Sequence, residues 1–155
     1  TRIGNENFLM VAVHVAHDCV RGDHIIMANA APLAGHVAVE DCVTVGAFSA
    51  VHQFCRVGRY SYIGGFTVVT QDVPPFARVV GERNTRCYGI NSIGLERHGF
   101  PRERINAIER AYRLLLRSKL NTSQAIEQMR SELNGSEEVA ELIAFIESCE
   151  RGLTK

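Results

Sequence analysis

The side chains with the reach to do chemistry are spaced by one interval in the first half of this chain. His17, Gly35 and Gln53 are eighteen residues apart, as are Asp18 and His36, and Ala34 and His52. His14 stands three residues before His17. A neutral imidazole is the side chain best matched to general-base work near neutral pH. Asp18 can orient such a ring. Gly35 has no side chain, so its backbone N–H can approach a substrate closely and hold a developing oxyanion. Those three groups are an acyl-transfer set: a hydroxyl is deprotonated, attacks a thioester, and the tetrahedral oxyanion rests on an amide. His14, His17 and His36 also form a set that could ligate zinc, as in a zinc hydratase. Asp18, and the glycine in register with His17, favour acid–base chemistry. His24 shares no column with these residues and reads as a solvated surface group.

Spacing of this kind needs an element that repeats. From Ile3 to Val69, every sixth residue is aliphatic or Met, with Arg21 as the one exception. The next position is mostly Gly or Ala, and the fourth after the aliphatic is small or β-branched, from Asn7 to Val73. Neither a helical period of 3.6 nor a strand period of 2 produces this. A hexapeptide parallel β-helix does. Each hexad is a short strand and a turn, three hexads close one triangular coil, and Gly or Ala is expected to let the backbone turn. Residues eighteen apart then stack about 4.8 Å from one another. The repeat predicts a mainly β protein with about four coils over 1–75. Asp72-Val73-Pro74-Pro75 is expected to end the ladder, because proline lacks the N–H donor. An irregular connector follows over 76–98.

From 99 to 155 the period becomes helical. Ile105, Ile108, Tyr112, Leu115 and Leu116 share one face, Ile126, Met129 and Leu133 a second, and Val139, Leu142, Ile143 and Ile146 a third. Three short helices make a cap for the end of a solenoid. The first coil has no such cap, so further coils are expected to precede it.

Composition narrows the class. Seventeen basic residues balance 17 acidic ones, so no net charge calls for nucleic acid or a membrane surface. No apolar run is long enough to span a bilayer. Five cysteines without paired spacing suit free thiols in a reducing compartment, with Cys19 and Cys55 at inward corners. The balance is uneven along the chain: residues 76–120 hold ten Arg or Lys against four Glu, a surface that would steer an acidic protein. Phe48 and Phe66 fall in one outward column, the mark of an interface or an acyl groove.

Ala16-His17-Asp18-Cys19, Leu33-Ala34-Gly35-His36-Val37, Ala50-Val51-His52-Gln53-Phe54-Cys55, Gln71-Asp72-Val73-Pro74-Pro75 and Gly94-Leu95-Glu96-Arg97-His98-Gly99-Phe100 together closely resemble the acyl-[acyl-carrier-protein]–UDP-N-acetylglucosamine O-acyltransferase family. The resemblance implies a left-handed parallel β-helix followed by a small C-terminal α-helical cap. It also implies a cytoplasmic homotrimer that opens lipid A biosynthesis. The reaction would move an (R)-3-hydroxyacyl group from acyl carrier protein to the 3-hydroxyl of UDP-N-acetylglucosamine. No cofactor is required, because the phosphopantetheine belongs to the carrier protein. By the same resemblance, His17 is the general base, Asp18 its supporting carboxylate and Gly35 the oxyanion amide. His14, His36, His52 and Gln53 would contact the sugar, the phosphates or the acyl donor. Gly65 lies where an acyl-chain ruler sits, and Asn91 and Arg97 match nucleotide contacts. The chain departs from the family at Ile93, where an acidic residue can stand, and at His98, where arginine is common. Members usually carry additional N-terminal coils with a further carboxylate. Other expectations on the same solenoid are a UDP-sugar N-acyltransferase of the same pathway, a zinc-dependent carbonic-anhydrase-like enzyme, and an inactive fragment that only trimerises.

Overall fold

A computed structural model describes residues 1–82 and 84–155. Twelve two-residue strands among them build the three walls of a prism. Wall A stacks β1 (Arg2–Ile3), β4 (Val20–Arg21), β7 (Ala38–Val39) and β10 (Arg56–Val57). Wall B stacks β2 (Phe8–Leu9), β5 (Ile26–Met27), β8 (Thr44–Val45) and β11 (Tyr62–Ile63). Wall C stacks β3 (His14–Val15), β6 (Pro32–Leu33), β9 (Ala50–Val51) and β12 (Val68–Val69). Every pairing among these twelve strands is parallel and in the eighteen-residue register, as in Arg2↔Val20, Phe8↔Ile26 and His14↔Pro32. The β-solenoid of about four turns that the repeat predicts is therefore the fold.

The aliphatic position fills the prism: Met27, Leu33, Val45, Val57 and Ile63 are fully buried. The small corner position packs beside it through Cys19, Ile25, Ala31 and Val37. All five cysteines are free. Arg21 takes its place in the inward row and is 3% exposed. Its Nη1 lies 3.1 Å from Met27 Sδ, while Nε and Nη2 have no partner among the described residues. Burial of this charge in an apolar shaft lowers its pKa and opposes folding.

The turns correct one expectation. The left-handed conformation recurs every sixth residue, but at Glu6, Ala12, Asp18, His24, Ala30, His36 and onward to Phe66, not at the Gly/Ala position. A left-handed non-glycine residue costs about 1–2 kcal/mol. From His24 onward its amide is bonded to the coil beneath, as His36 N is to His17 O at 3.1 Å and Phe48 N to Asn29 O at 2.9 Å. The small position serves stacking instead. A Cβ on Gly46 would lie 2.5 Å from Gly65 N and 2.7 Å from Gly64 C.

The prolines lie in the last coil, and one parallel strand still follows them. Val73 bridges Val57, and β13 (Ala77–Val80) pairs in parallel with β11, with Tyr62 opposite Arg78. Two residues are dropped from this last coil. Pro74 occupies the register place of Gly58, whose N–H donates upward to Val73 O at 2.8 Å; with no coil above, the missing donor costs nothing there. The stretch expected to be irregular is ordered: β13 turns into antiparallel β14 (Arg86–Ile90), and α1 (Ser92–Arg97) follows.

Among the described residues, 99–155 hold three helices, as the hydrophobic stripes predict; α1 precedes them in the connector and is too short to show a period. The three long ones match the stripes. They are α2 (Arg102–Arg117), α3 (Thr122–Glu132), capped by an Asn121–Gln124 box, and α4 (Glu137–Glu147), capped by Ser136. They sit on the open end of the prism through Tyr112 Oη, which donates to Pro75 O at 2.5 Å, Arg59 Nε to Glu141 at 2.5 Å, and the Arg56 guanidinium 3.8 Å above the Phe145 ring. The tail after α4 returns to the solenoid: Asp72 N donates to Gly152 O and Thr154 N to Asp72 O, both at 2.8 Å.

Candidate active site

The corner between walls C and A gathers the residues that the eighteen-residue count places together. His17 and Asp18 follow β3, Gly35 and His36 follow β6, and Gln53 and Phe54 follow β9. His17 Nδ1 lies 3.0 Å from Asp18 Oδ2, and His36 Nε2 is 3.7 Å from the same oxygen. The two imidazoles meet edge to face with centroids 5.1 Å apart. All three side chains are open to solvent. Asp18's carboxyl titrates below the usual carboxylate range, first because His17 donates to it, and also because His36 lies near.

The His17 ring rests directly on Gly35. A Cβ at position 35 would fall 2.6 Å from Cε1 and 2.8 Å from Nε2 of His17, so only glycine leaves this ring where it is. No acceptor among the described residues meets the Gly35 N–H. An imidazole nitrogen and the unpaired amide of a buried glycine therefore lie side by side.

The sequence count missed two neighbours. Phe54 stacks flat on His36, with centroids 4.7 Å apart and planes 12° from parallel; counting eighteen from His36 would have found it. Arg151 places Nη2 3.2 Å from His52 Nδ1. It comes from the tail, 99 residues away in sequence, and no repeat could have signalled it. His52 Nδ1 also lies 3.3 Å from Gln53 O. His14 lies on the same wall in β3 but outside the three-residue group of His17, Asp18 and His36 whose ligand atoms fall within 4.8 Å of one another.

Three candidates lie elsewhere. Gly65 is at the corner between walls B and C, beside the stacked rings of Phe48 and Phe66, 5.2 Å apart. Asn91 and Arg97 face wall B, lining with Tyr62, Arg78, Ile93 and His98 a groove of about 580 Å³. Asn91 is largely occupied internally: Oδ1 caps α1 at Gly94 N, 3.2 Å away, and Nδ2 donates to Tyr60 O at 3.0 Å. One chain therefore does not unite the imidazole cluster with the proposed nucleotide residues.

The basic stretch is partly answered within the fold. Arg102 pairs with Glu96, Arg104 with Glu138, Arg110 with Glu132 and Arg113 with Glu109. Arg83 lies outside the described residues. Arg78, Arg86, Arg97, Arg117 and Lys119 make no ion pair among them.

A family model described as UDP N-acetylglucosamine O-acyltransferase, domain 2, matches residues 72–154. The chain belongs to this family. It is 48% identical over 155 residues to the acyl-[acyl-carrier-protein]–UDP-N-acetylglucosamine O-acyltransferase of Halorhodospira halophila, and 44% identical over the same length to that of an Anaeromyxobacter species. Each alignment covers all of this chain and 60% of the relative. The structure of LpxA from Acinetobacter baumannii superposes with a TM-score of 0.94 at 42% identity, again over 100% of this chain and 60% of the other. The chain thus spans about three fifths of the length of these family members.

Proposed function

We propose that this chain carries the acyl-transfer centre of an enzyme that moves an (R)-3-hydroxyacyl group from acyl carrier protein to the 3-hydroxyl of UDP-N-acetylglucosamine, opening lipid A biosynthesis in the cytoplasm. The observation that carries the reading is the contact between His17 and Gly35, which sets the imidazole beside an N–H without a partner among the described residues. His17 Nε2 takes the proton of the sugar hydroxyl, while its Nδ1–H, held by Asp18, keeps that tautomer in place. The sugar oxygen bonds to the thioester carbon. The carbonyl oxygen becomes an oxyanion that accepts from Gly35 N–H. Collapse breaks the carbon–sulfur bond, and the departing thiolate takes the proton from the imidazolium. The step balances without a resident cofactor, because the phosphopantetheine arrives on the carrier.

His36, His52, Gln53 and His14 line the approach for sugar, phosphate or donor, and Arg151 adds a cation beside His52. The remaining candidates support a homotrimer with shared sites. Asn91, Arg97 and Gly65 lie on another wall and another corner from His17, so a neighbouring prism would complete the groove with its nucleotide contacts and acyl ruler. The exposed Phe48–Phe66 pair suits such an interface or the acyl chain itself. The cations left unpaired between Arg78 and Lys119 suit docking of an acidic carrier protein. Among the described residues no helix is long and apolar enough to cross a membrane.

The test is His17→Ala. We expect loss of acyl transfer from hydroxyacyl carrier protein by at least about 100-fold, with unchanged circular dichroism and oligomeric state. Near-normal turnover in the folded variant would remove His17 from the base role.

A further inference from the structure

The arrangement around Asp18 has a second chemical use. A tetrahedral ion with bonds of about 2.0–2.1 Å holds its donor atoms about 3.3–3.4 Å apart. His17 Nδ1 and His36 Nε2 stand 3.0 Å and 3.7 Å from Asp18 Oδ2, on either side of that edge length. The ligand atoms of all three residues fall within 4.8 Å of one another. Phe54 stacks on the His36 ring, and Gly35 places no side chain against His17. The side chains that would close on an ion all face solvent and are free to adjust.

We propose that His17, Asp18 and His36 form a binding site for a borderline divalent transition metal, with Zn²⁺ as the fitting ion, and that its occupation switches the acyl-transfer centre off. Two imidazoles and one carboxylate suit Zn²⁺, while Mg²⁺ and Ca²⁺ need oxygen-rich sets that this corner lacks. Water completes the coordination. The consequence for chemistry follows from the ring's single proton. A neutral imidazole bound to the ion through Nδ1 carries its proton on Nε2, the nitrogen against Gly35, and can no longer accept one from a hydroxyl. The ion also takes the carboxylate that would orient the ring. The binding site stands on geometry alone; its inhibitory effect rests on the reading of His17 as the base.

The two parts are tested separately. Zn²⁺ binding is measured by calorimetry on the purified chain, and Co²⁺ is added to read ligand-field absorption. We expect one site per chain, a tetrahedral or five-coordinate Co²⁺ spectrum displaced by Zn²⁺, and affinity lowered at least about 10-fold in His36→Ala and in Asp18→Ala. His14→Ala should keep the site, which separates it from the set His14, His17 and His36. Absence of a Co²⁺ spectrum in the folded protein, or Zn²⁺ affinity unchanged in both ligand variants, overturns the proposal. Zn²⁺ should then inhibit acyl transfer, with recovery on chelation. Binding without inhibition upholds the metal site, overturns the switch and argues against His17 as the base.

Discussion

Two corners of the prism are built from the same six-residue turn and end in opposite states. At the corner between walls A and B, side chains close the backbone. Asp23 Oδ1 accepts from Asn5 N at 2.6 Å, Asp41 Oδ1 from Asp23 N at 2.8 Å, and Glu40 Oε2 from Arg59 N at 3.0 Å. Each coil caps the amide of a neighbour. At the corner between walls C and A, the same register places hold His17, Gly35 and Gln53, and no acceptor among the described residues reaches their amides. The corner between walls B and C also leaves amides open, but around Val11, Asn29, Ala47 and Gly65 it offers no base. An unclosed amide costs some stability. Its coincidence with an imidazole and a carboxylate is what sets the C–A corner apart from the other two.

The sharpest way to break this contrast is to make the reactive corner resemble the closed one. In two of the three caps at the A–B corner the carboxylate comes from the residue eighteen positions later, Asp23 to Asn5 N and Asp41 to Asp23 N. By that geometry, position 53 could close Gly35, and Gln53 does not. Gln53→Asp is expected to place a carboxylate on the Gly35 N–H. Acyl transfer should fall by about 10²–10³-fold, the usual cost of a lost oxyanion donor. The melting temperature should stay level or rise, since one more hydrogen bond contributes about 0.5–1.5 kcal/mol. A stable variant with normal turnover would show that Gly35 N–H is not the oxyanion donor.

The converse substitution opens the closed corner. Asp41→Ala removes the cap on Asp23 N and should destabilise the protein by about 1–2 kcal/mol, as helix-capping losses do, in denaturant unfolding. Acyl transfer at a temperature where the variant is folded should be unchanged, because no residue of the C–A corner touches Asp41. A large drop in activity would mean that the two corners are coupled through the coil.

The reactive corner was legible because a repeat converts sequence distance into spatial distance. Counting in eighteens put His17 beside Gly35 and Asp18 beside His36 without any knowledge of the turns, and the register carried them there. What the count could not see is set by contacts without a period. Arg151 reaches His52 only because the tail pairs with Asp72. Asn91 is occupied by its own helix cap, and α1 is too short to announce itself. The prolines at 74 and 75 read as a stop and do sit where no coil follows above, but the count gave no sign of the single further strand, β13, that pairs with β11. Arg21 was visible as the exception in the aliphatic row, yet its burial with two unpartnered nitrogens shows that the register overrides even a guanidinium's preference for water.

The smallest effect tests which partner holds the Asp18 charge. Its carboxyl is lowered first by the His17 hydrogen bond and then by the nearby His36. A depressed folded value means that the ionised pair is fully formed above the ordinary Asp pKa, about 3.9, and is lost only as pH falls through the lower folded value. Asp18 should therefore stay ionised throughout the range from pH 5 to 8, and any fall in activity across that range belongs to another group. Carboxyl carbon NMR should place Asp18 below the usual range in the parent protein and move it upward in His17→Ala. If the value rises in His36→Ala and not in His17→Ala, the carboxylate serves His36. Asp18 would then be a sugar-side anchor rather than the partner of the base.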